Sequence, residues 1–362
     1  MKYLAVLGRQ PEISVAELEI QLELHHTQKE ALFEFEYARR LDISRFGGVI
    51  KLAEKLEEAP LDYFKTVEPG KITLGVSDYS RGATRKSALA EALKLKRILT
   101  RHGRSVRVVE GKDAVLSTAT SLHNGLSGRN PRKCEFVKTD DGWYRVIGVQ
   151  DIDAYTKRDQ ARPARDARVG MLPPKLAQIL INLCGPLEPG ATVLDPFCGT
   201  GVVLQEAMLM GYKAYGTDIS ERMVEYSERN LKHFGFEDYM LEVGDATSHQ
   251  WKGMVAAVAC EGYLGRPMST IPVEIKLKAE MQECQTIIMG FLKNLSAQVA
   301  SGTPVVLAAP AWLRENGKYL RLNILDEIEE MGYNVNNRSR EGLLYAREGQ
   351  IVARDILILR KK

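Results

Sequence analysis

Apolar and polar positions change period several times along this chain. Tyr3 to Leu7 is a short apolar run and predicts a strand. From Ser14 the period lengthens: Val15, Leu18 and Leu22 share one helical face, and Ser14 with Glu17 has capping-box spacing. Ala31 to Tyr37 alternates and predicts a half-buried strand, and Val49 to Leu56 reads as a helix before the break at Ala59-Pro60. After Pro69-Gly70 the pattern predicts a strand over Lys71 to Ser77 and a helix over Thr84 to Arg101 with Leu89, Leu93, Leu95 and Ile98 inward. Strands follow at Ser105 to Val109, near Cys134 to Val137 and at Trp143 to Val149.

The second half alternates strand and helix, the signature of an α/β domain with a parallel sheet. Pro173-Pro174 opens a helix to Leu183. Short apolar runs at Thr192 to Leu194, Lys213 to Asp218, Ala256 to Ala259 and Pro304 to Ala308 predict strands, with helices over Val202 to Met210, Thr286 to Leu295 and Leu320 to Met331. Tyr333 to Val335 and Asp355 to Leu359 complete the sheet. Trp312, after Pro310, falls at the sheet's mouth, where it either walls a pocket or packs in the core.

Asp195-Pro-Phe-Cys-Gly-Thr-Gly201 joins the first of these strands to its helix, and Gly199 and Gly201 let a ligand approach the backbone. The dinucleotide fingerprint needs a third small residue, which Gly-Thr-Gly-Val-Val-Leu lacks. An acid directly before the loop, as Asp195 is here, resembles motif I of S-adenosylmethionine-dependent methyltransferases instead. Asp218 ends the next strand about 20 residues on, the distance at which a carboxylate reaches ribose hydroxyls. Asp245, after the third strand, suits the adenine amine. The candidate cofactor residues are therefore Asp195, Phe197, Gly199, Gly201, Asp218, Ile219, Asp245 and Ala246.

Composition narrows the class. With 362 residues, 44% hydrophobic and 27% charged, the chain has room for two or three globular domains. No apolar run is long enough to span a membrane and the first eight residues are too short for a signal core, which predicts a cytoplasmic protein. Five scattered cysteines without a Cys-x-x-Cys pair argue against a zinc site or a disulfide framework, so no metal is expected. The net charge of +3 hides an asymmetry: −4 over residues 1–70, +10 over 71–168 and −3 over 169–362. A concentrated basic block beside a near-neutral domain is the footprint of a module that tracks a phosphate backbone.

Three passages together resemble the THUMP-domain tRNA methyltransferases that modify the exocyclic amine of guanosine at tRNA position 10. They are Lys2 to Glu12; the linker with Arg162-Pro163, Arg165-Asp166 and Met171 to Ala177; and motif I. The resemblance implies a ferredoxin-like α+β unit over residues 1–60, a THUMP RNA-binding domain over 61–152, a basic linker over 153–172 and a class I, Rossmann-like methyltransferase domain over 173–362. It implies S-adenosylmethionine as cofactor and tRNA as partner, and leaves a small activating subunit as an option.

One passage departs from the family pattern. Where Asp-Pro-Pro-Tyr is expected, the chain reads Cys260-Glu-Gly-Tyr263. A guanine amine is a weak nucleophile, so its hydrogens need acceptors that also hold it in line with the methyl donor. The expectation is that Glu261 points its carboxylate into the missing acid's space, Gly262 exposes its carbonyl, and Tyr263 stacks on a flipped guanine. Two alternatives stand beside it: RNA binding without turnover, and cytosine-C5 methylation with Cys260 as nucleophile.

Overall fold

The computed structural model describes residues 1–24, 31–165 and 171–362. The chain divides into two compact units, one of residues 1–11 and 27–155, the other of 12–26 and 156–362. The division falls within a helix at Ile152–Gln160. No helix among the described residues is long and apolar enough to cross a membrane.

In the first unit, strands β1 (Lys2–Leu7), β2 (Leu32–Glu36), β3 (Val49–Lys55), β4 (Ile72–Asp78), β5 (Val106–Val109), β6 (Lys133–Thr139) and β7 (Gly142–Val149) form one sheet in the order β2-β1-β3-β7-β6-β4-β5. Two expectations fail here. Val49–Lys55 is a strand, not a helix, because both its edges find partners in β1 and β7. That pairing also removes the expected boundary at residue 60, since strands from both sides of it share a sheet. Lys51 on β3 is buried: its Nζ donates to Glu135 and, at 2.6 Å, to the Leu116 carbonyl. The hydroxyls of Ser77 and Ser121 donate to the same carboxylate at 2.6 and 2.5 Å.

Helices Pro60–Tyr63, Arg85–Arg101 and Thr118–His123 complete this unit, the last inside a Ser/Thr/Asn-rich stretch with no helical periodicity. Thr84 caps the long helix in a capping box with Ser87. Its buried stripe is Ala88, Ala92, Leu95 and Leu99, while Leu93 is exposed, so the inward face is rotated from the expected one.

The second unit begins with the helix Pro11–Leu22. Its start at Pro11 places Ser14 and Glu17 inside the helix and buried, so the expected capping box is absent. Instead Asn182 Nδ2 donates to Glu17 Oε1 at 2.7 Å, and Ile13 and Ala16 pack with Leu176 and Leu180. Strands β8 (Thr192–Asp195), β9 (Lys213–Asp218), β10 (Tyr239–Val243), β11 (Ala257–Glu261), β12 (Pro304–Leu313), β13 (Tyr319–Arg321), β14 (Tyr333–Val335), β15 (Leu344–Tyr345) and β16 (Val352–Lys361) follow; seven run in the order β10-β9-β8-β11-β12-β16-β14, with β13 paired to β12 and β15 to β16. β8 to β12 are parallel, whereas β16 is antiparallel to β12 and β14.

Helices Pro174–Asn182 and Val202–Leu209 cover one face with the helix at residues 11–22, and Glu274–Ser296 covers the other. Alternation is strict at the centre: Val193, Ala257, Ala259 and Ala308 face the first layer, Leu194, Val258, Cys260 and Leu307 the second. The expected helix over Leu320 to Met331 is split into β13 and a helix at Leu325–Glu330. Trp312 lies on β12, fully buried in the core.

Candidate active site

β9 and β10 lie on one side of β8, β11 and β12 on the other. The strand order therefore reverses between β8 and β11, and a crevice is expected beyond their carboxyl ends. Asp195 and Glu261 end these two strands and point to the same face, because Val193 pairs with Ala257 and both belong to the layer under that face.

The loop after β8 is held from several sides. Phe197 N–H donates to Asp195 Oδ1 at 3.1 Å, and the Phe197 ring meets Phe291 edge-on at 5.2 Å. Gly199 and Gly201 have φ of +51° and +80°, where a Cβ is disfavoured. A Cβ on Gly201 would also come within 3.0 Å of the Ser227 hydroxyl, which donates to the Gly199 carbonyl at 2.8 Å. Asp218 ties the loop to β9: Oδ2 accepts Gly199 N–H and Oδ1 accepts Ser220 N–H, both at 2.9 Å. Ile219, just beyond, is 72% exposed. Past β10, Asp245 is exposed and accepts the Thr247 N–H at 2.8 Å, while Ala246 is buried.

The linker supports this loop from behind. Arg162 Nη1 donates to Thr200 Oγ1 at 3.2 Å, and Asn230 Nδ2 donates to the Thr200 and Ala164 carbonyls at 2.9 Å each. Arg162, one of the linker residues that single out the resemblance, is thus attached to motif I. Asp166 of that passage lies outside the described residues.

Burial pushes the Asp195 carboxyl well up, and Asp218 and Glu261 nearby push it further. Burial raises Asp218 too, against the two N–H groups it accepts. Among the described residues neither carboxylate is paired with Lys or Arg. Strand-end acids that have no cationic cradle among the described residues suit a sulfonium bearing a ribose and do not suit a pyrophosphate. S-adenosylmethionine fits this donor set, and each Asp218 oxygen keeps a lone pair beyond the N–H it accepts.

At the acceptor side the structure corrects one expectation. Neighbouring strand residues point to opposite faces, so Glu261 does not enter the space an acid at 260 would fill. Cys260 faces the core, fully buried, and burial holds its thiol well above the usual range. A nucleophile needs an exposed thiolate, so the cytosine-C5 alternative falls. Glu261 shares the face of Asp195 and is held by Arg354 Nε of β16. Burial raises its carboxyl, with Arg354 opposing, and 16% of the side chain stays open.

Gly262 N–H donates to the Ala308 carbonyl at 3.0 Å, and a Cβ there would meet Leu307 at 2.8 Å. Tyr263 is half-buried and its hydroxyl donates to Glu283 at 3.3 Å. Sequence reasoning singled out Arg162 only as part of the linker resemblance and missed Arg354, Asn230 and Glu283. Of these three Arg354 carried a signal: Arg354-Asp355 is a charged pair ahead of the apolar run Ile356 to Leu359.

Comparisons with known proteins agree with this geometry. A family model described as "Methyltransferase domain" matches residues 187–296, and one described as "DNA methylase" matches 130–229. A tRNA (guanine(10)-N2)-dimethyltransferase of Methanothermobacter thermautotrophicus is 34% identical over 157 residues, 43% of this chain and 44% of that protein's length. One of Pyrococcus abyssi is 31% identical over 254 residues, 68% of this chain and 72% of the relative. Among solved structures, TrmN from Thermus thermophilus matches over the whole of both chains with a TM-score of 0.51 at 17% identity, a likeness of fold. With a class I methyltransferase sheet, an acidic glycine loop at its switch point and a relative matched over most of its length, the chain belongs to the tRNA (guanine(10)-N2)-dimethyltransferase family.

Proposed function

We propose that this chain transfers methyl groups from S-adenosylmethionine to the N2 amine of guanosine 10 in tRNA, in the cytoplasm. The observation that carries the reading is the pair of carboxylates, Asp195 and Glu261, facing the same side at the two strand ends that bound the switch point. Asp195, Gly199, Gly201, Asp218 and Asp245 would hold S-adenosylmethionine, which would supply a methyl group activated on a sulfonium. Glu261 accepts one amine hydrogen and takes the proton released as the nitrogen gains its methyl. The Gly262 carbonyl accepts the second hydrogen. Tyr263, its hydroxyl held by Glu283, offers its ring to the flipped base. Residues 61–152 of the first unit, which hold most of the basic block over 71–168, act as the THUMP module that grips tRNA phosphates.

A second reading, RNA binding without turnover, has one observation in its favour: the family's acid position holds the buried Cys260. Labelled methyl transfer to unmodified tRNA by the purified chain decides between them, and shows whether an activating subunit is needed. Glu261→Ala is expected to lower the rate by about 10²- to 10⁴-fold with cofactor binding retained. Full activity in that variant refutes Glu261 as the acceptor. A wild-type chain that binds both ligands and transfers nothing, even with cell extract added, establishes the second reading.

A further inference from the structure

The ion pair at the acceptor loop joins strands that are not neighbours. β12 lies between β11 and β16: Glu261 pairs with Ala308, Ala308 with Ile356, and Pro310 with Arg354. Arg354 therefore reaches diagonally over β12, past the small side chain of Ala308. Arg354 is 3% exposed, and among the described residues its one partner is Glu261. A buried guanidinium with five donors ordinarily gathers several acceptors, as the buried Lys51 gathers two in the other unit. A cation that serves a single, partly open carboxylate points to a task at that carboxylate.

Resting on the function proposed above, we infer that Arg354 is a positioning residue for methyl transfer, holding Glu261 ionised with one oxygen left to accept the guanosine amine. Among the described residues the charged group acting on Glu261 is Arg354 from β16; Asp195 of β8 faces the same side, and the strand neighbour Cys260 faces the opposite one. Burial favours the neutral acid, which cannot accept the hydrogen in the same way. Arg354 opposes it.

The test is tRNA methylation by the full chain across pH, in wild type, Arg354→Met, Arg354→Lys and Glu261→Gln. Arg354→Met is expected to lower kcat by about 10²-fold. It should also move the acid limb of the kcat/KM profile upward by about one pH unit, with the affinity for S-adenosylmethionine unchanged. Arg354→Lys restores part of the rate and returns the limb toward its wild-type position. In a Glu261→Gln background, where the limb is absent, Arg354→Met costs nothing further. An unmoved limb in Arg354→Met, or effects of the two substitutions that multiply, overturns the inference. If Arg354→Met does not fold, Arg354→Gln, neutral and polar, gives the same readout. Full activity of Glu261→Gln removes the acceptor reading and this one with it. A dead Glu261→Gln beside an unaffected Arg354→Met removes the positioning role alone.

Discussion

Each unit buries a carboxylate against a cation, and the two are built differently. In the first unit Glu135 accepts from Lys51, Ser77 and Ser121, and Lys51 also donates to the Leu116 carbonyl. The group lies inside a sheet, with both ionic side chains sealed from solvent. In the second unit Glu261 has one side-chain partner among the described residues, Arg354, and stands at a strand end with part of its surface open. A buried charge whose bonding capacity is filled is architecture. One left with spare capacity where a sheet changes direction can do chemistry.

The strongest way to break this comparison is Lys51→Met, which leaves the buried Glu135 without its cation. It should destabilise the first unit by about 3–5 kcal/mol in denaturant unfolding, with cofactor affinity unchanged. Arg354→Met should cost less stability, because Glu261 reaches water. Equal losses would mean that both pairs are structural.

Asp195 sharpens the contrast through pH. Its ordinary value is 3.8, and burial raises it well above that in the folded chain. Ionisation therefore costs the folded state more than the unfolded one. The contribution to stability is complete below the unfolded value and is lost as pH rises through the folded one. Asp195→Asn removes that loss: its thermal midpoint should fall less with rising pH, and stand about 2–4 °C above wild type at neutral pH for each kcal/mol relieved. Affinity for S-adenosylmethionine, by calorimetry, should fall about tenfold or more with the lost carboxylate. A gain in neither midpoint nor pH tolerance, with undiminished affinity, would remove Asp195 from the site.

The smallest effect belongs to the basic face of the helix Arg85–Arg101. Lys94→Ala, at an exposed position, should weaken tRNA binding slightly and lower the salt slope of its affinity by about one. An unchanged slope would place the phosphate contacts elsewhere.

The site was legible where its chemistry is local. Asp195, Gly199, Gly201 and Asp218 lie within one strand-loop-helix-strand unit, and the hydrogen bond from Gly199 to Asp218 spans 19 residues. The acceptor side was not legible, because Arg354 and Glu261 are 93 residues apart and meet through the register of an intervening strand. The error at Glu261 has the same origin: moving one residue along a strand reverses the face, and strand length decides where that alternation ends.

By itself the sequence determined the alternation of strand and helix in the second half, the acidic glycine loop, the absence of a phosphate fingerprint and the basic block. Each depends on residues close in the chain, where period and spacing act directly. The tertiary structure alone decided that strands on both sides of residue 60 share one sheet, that the helix Pro11–Leu22 belongs to the methyltransferase unit, and that Glu261 is held by Arg354. Those outcomes depend on which distant edges and faces satisfy one another, and one edge strand or amphipathic helix fits many partners until the whole sheet selects among them.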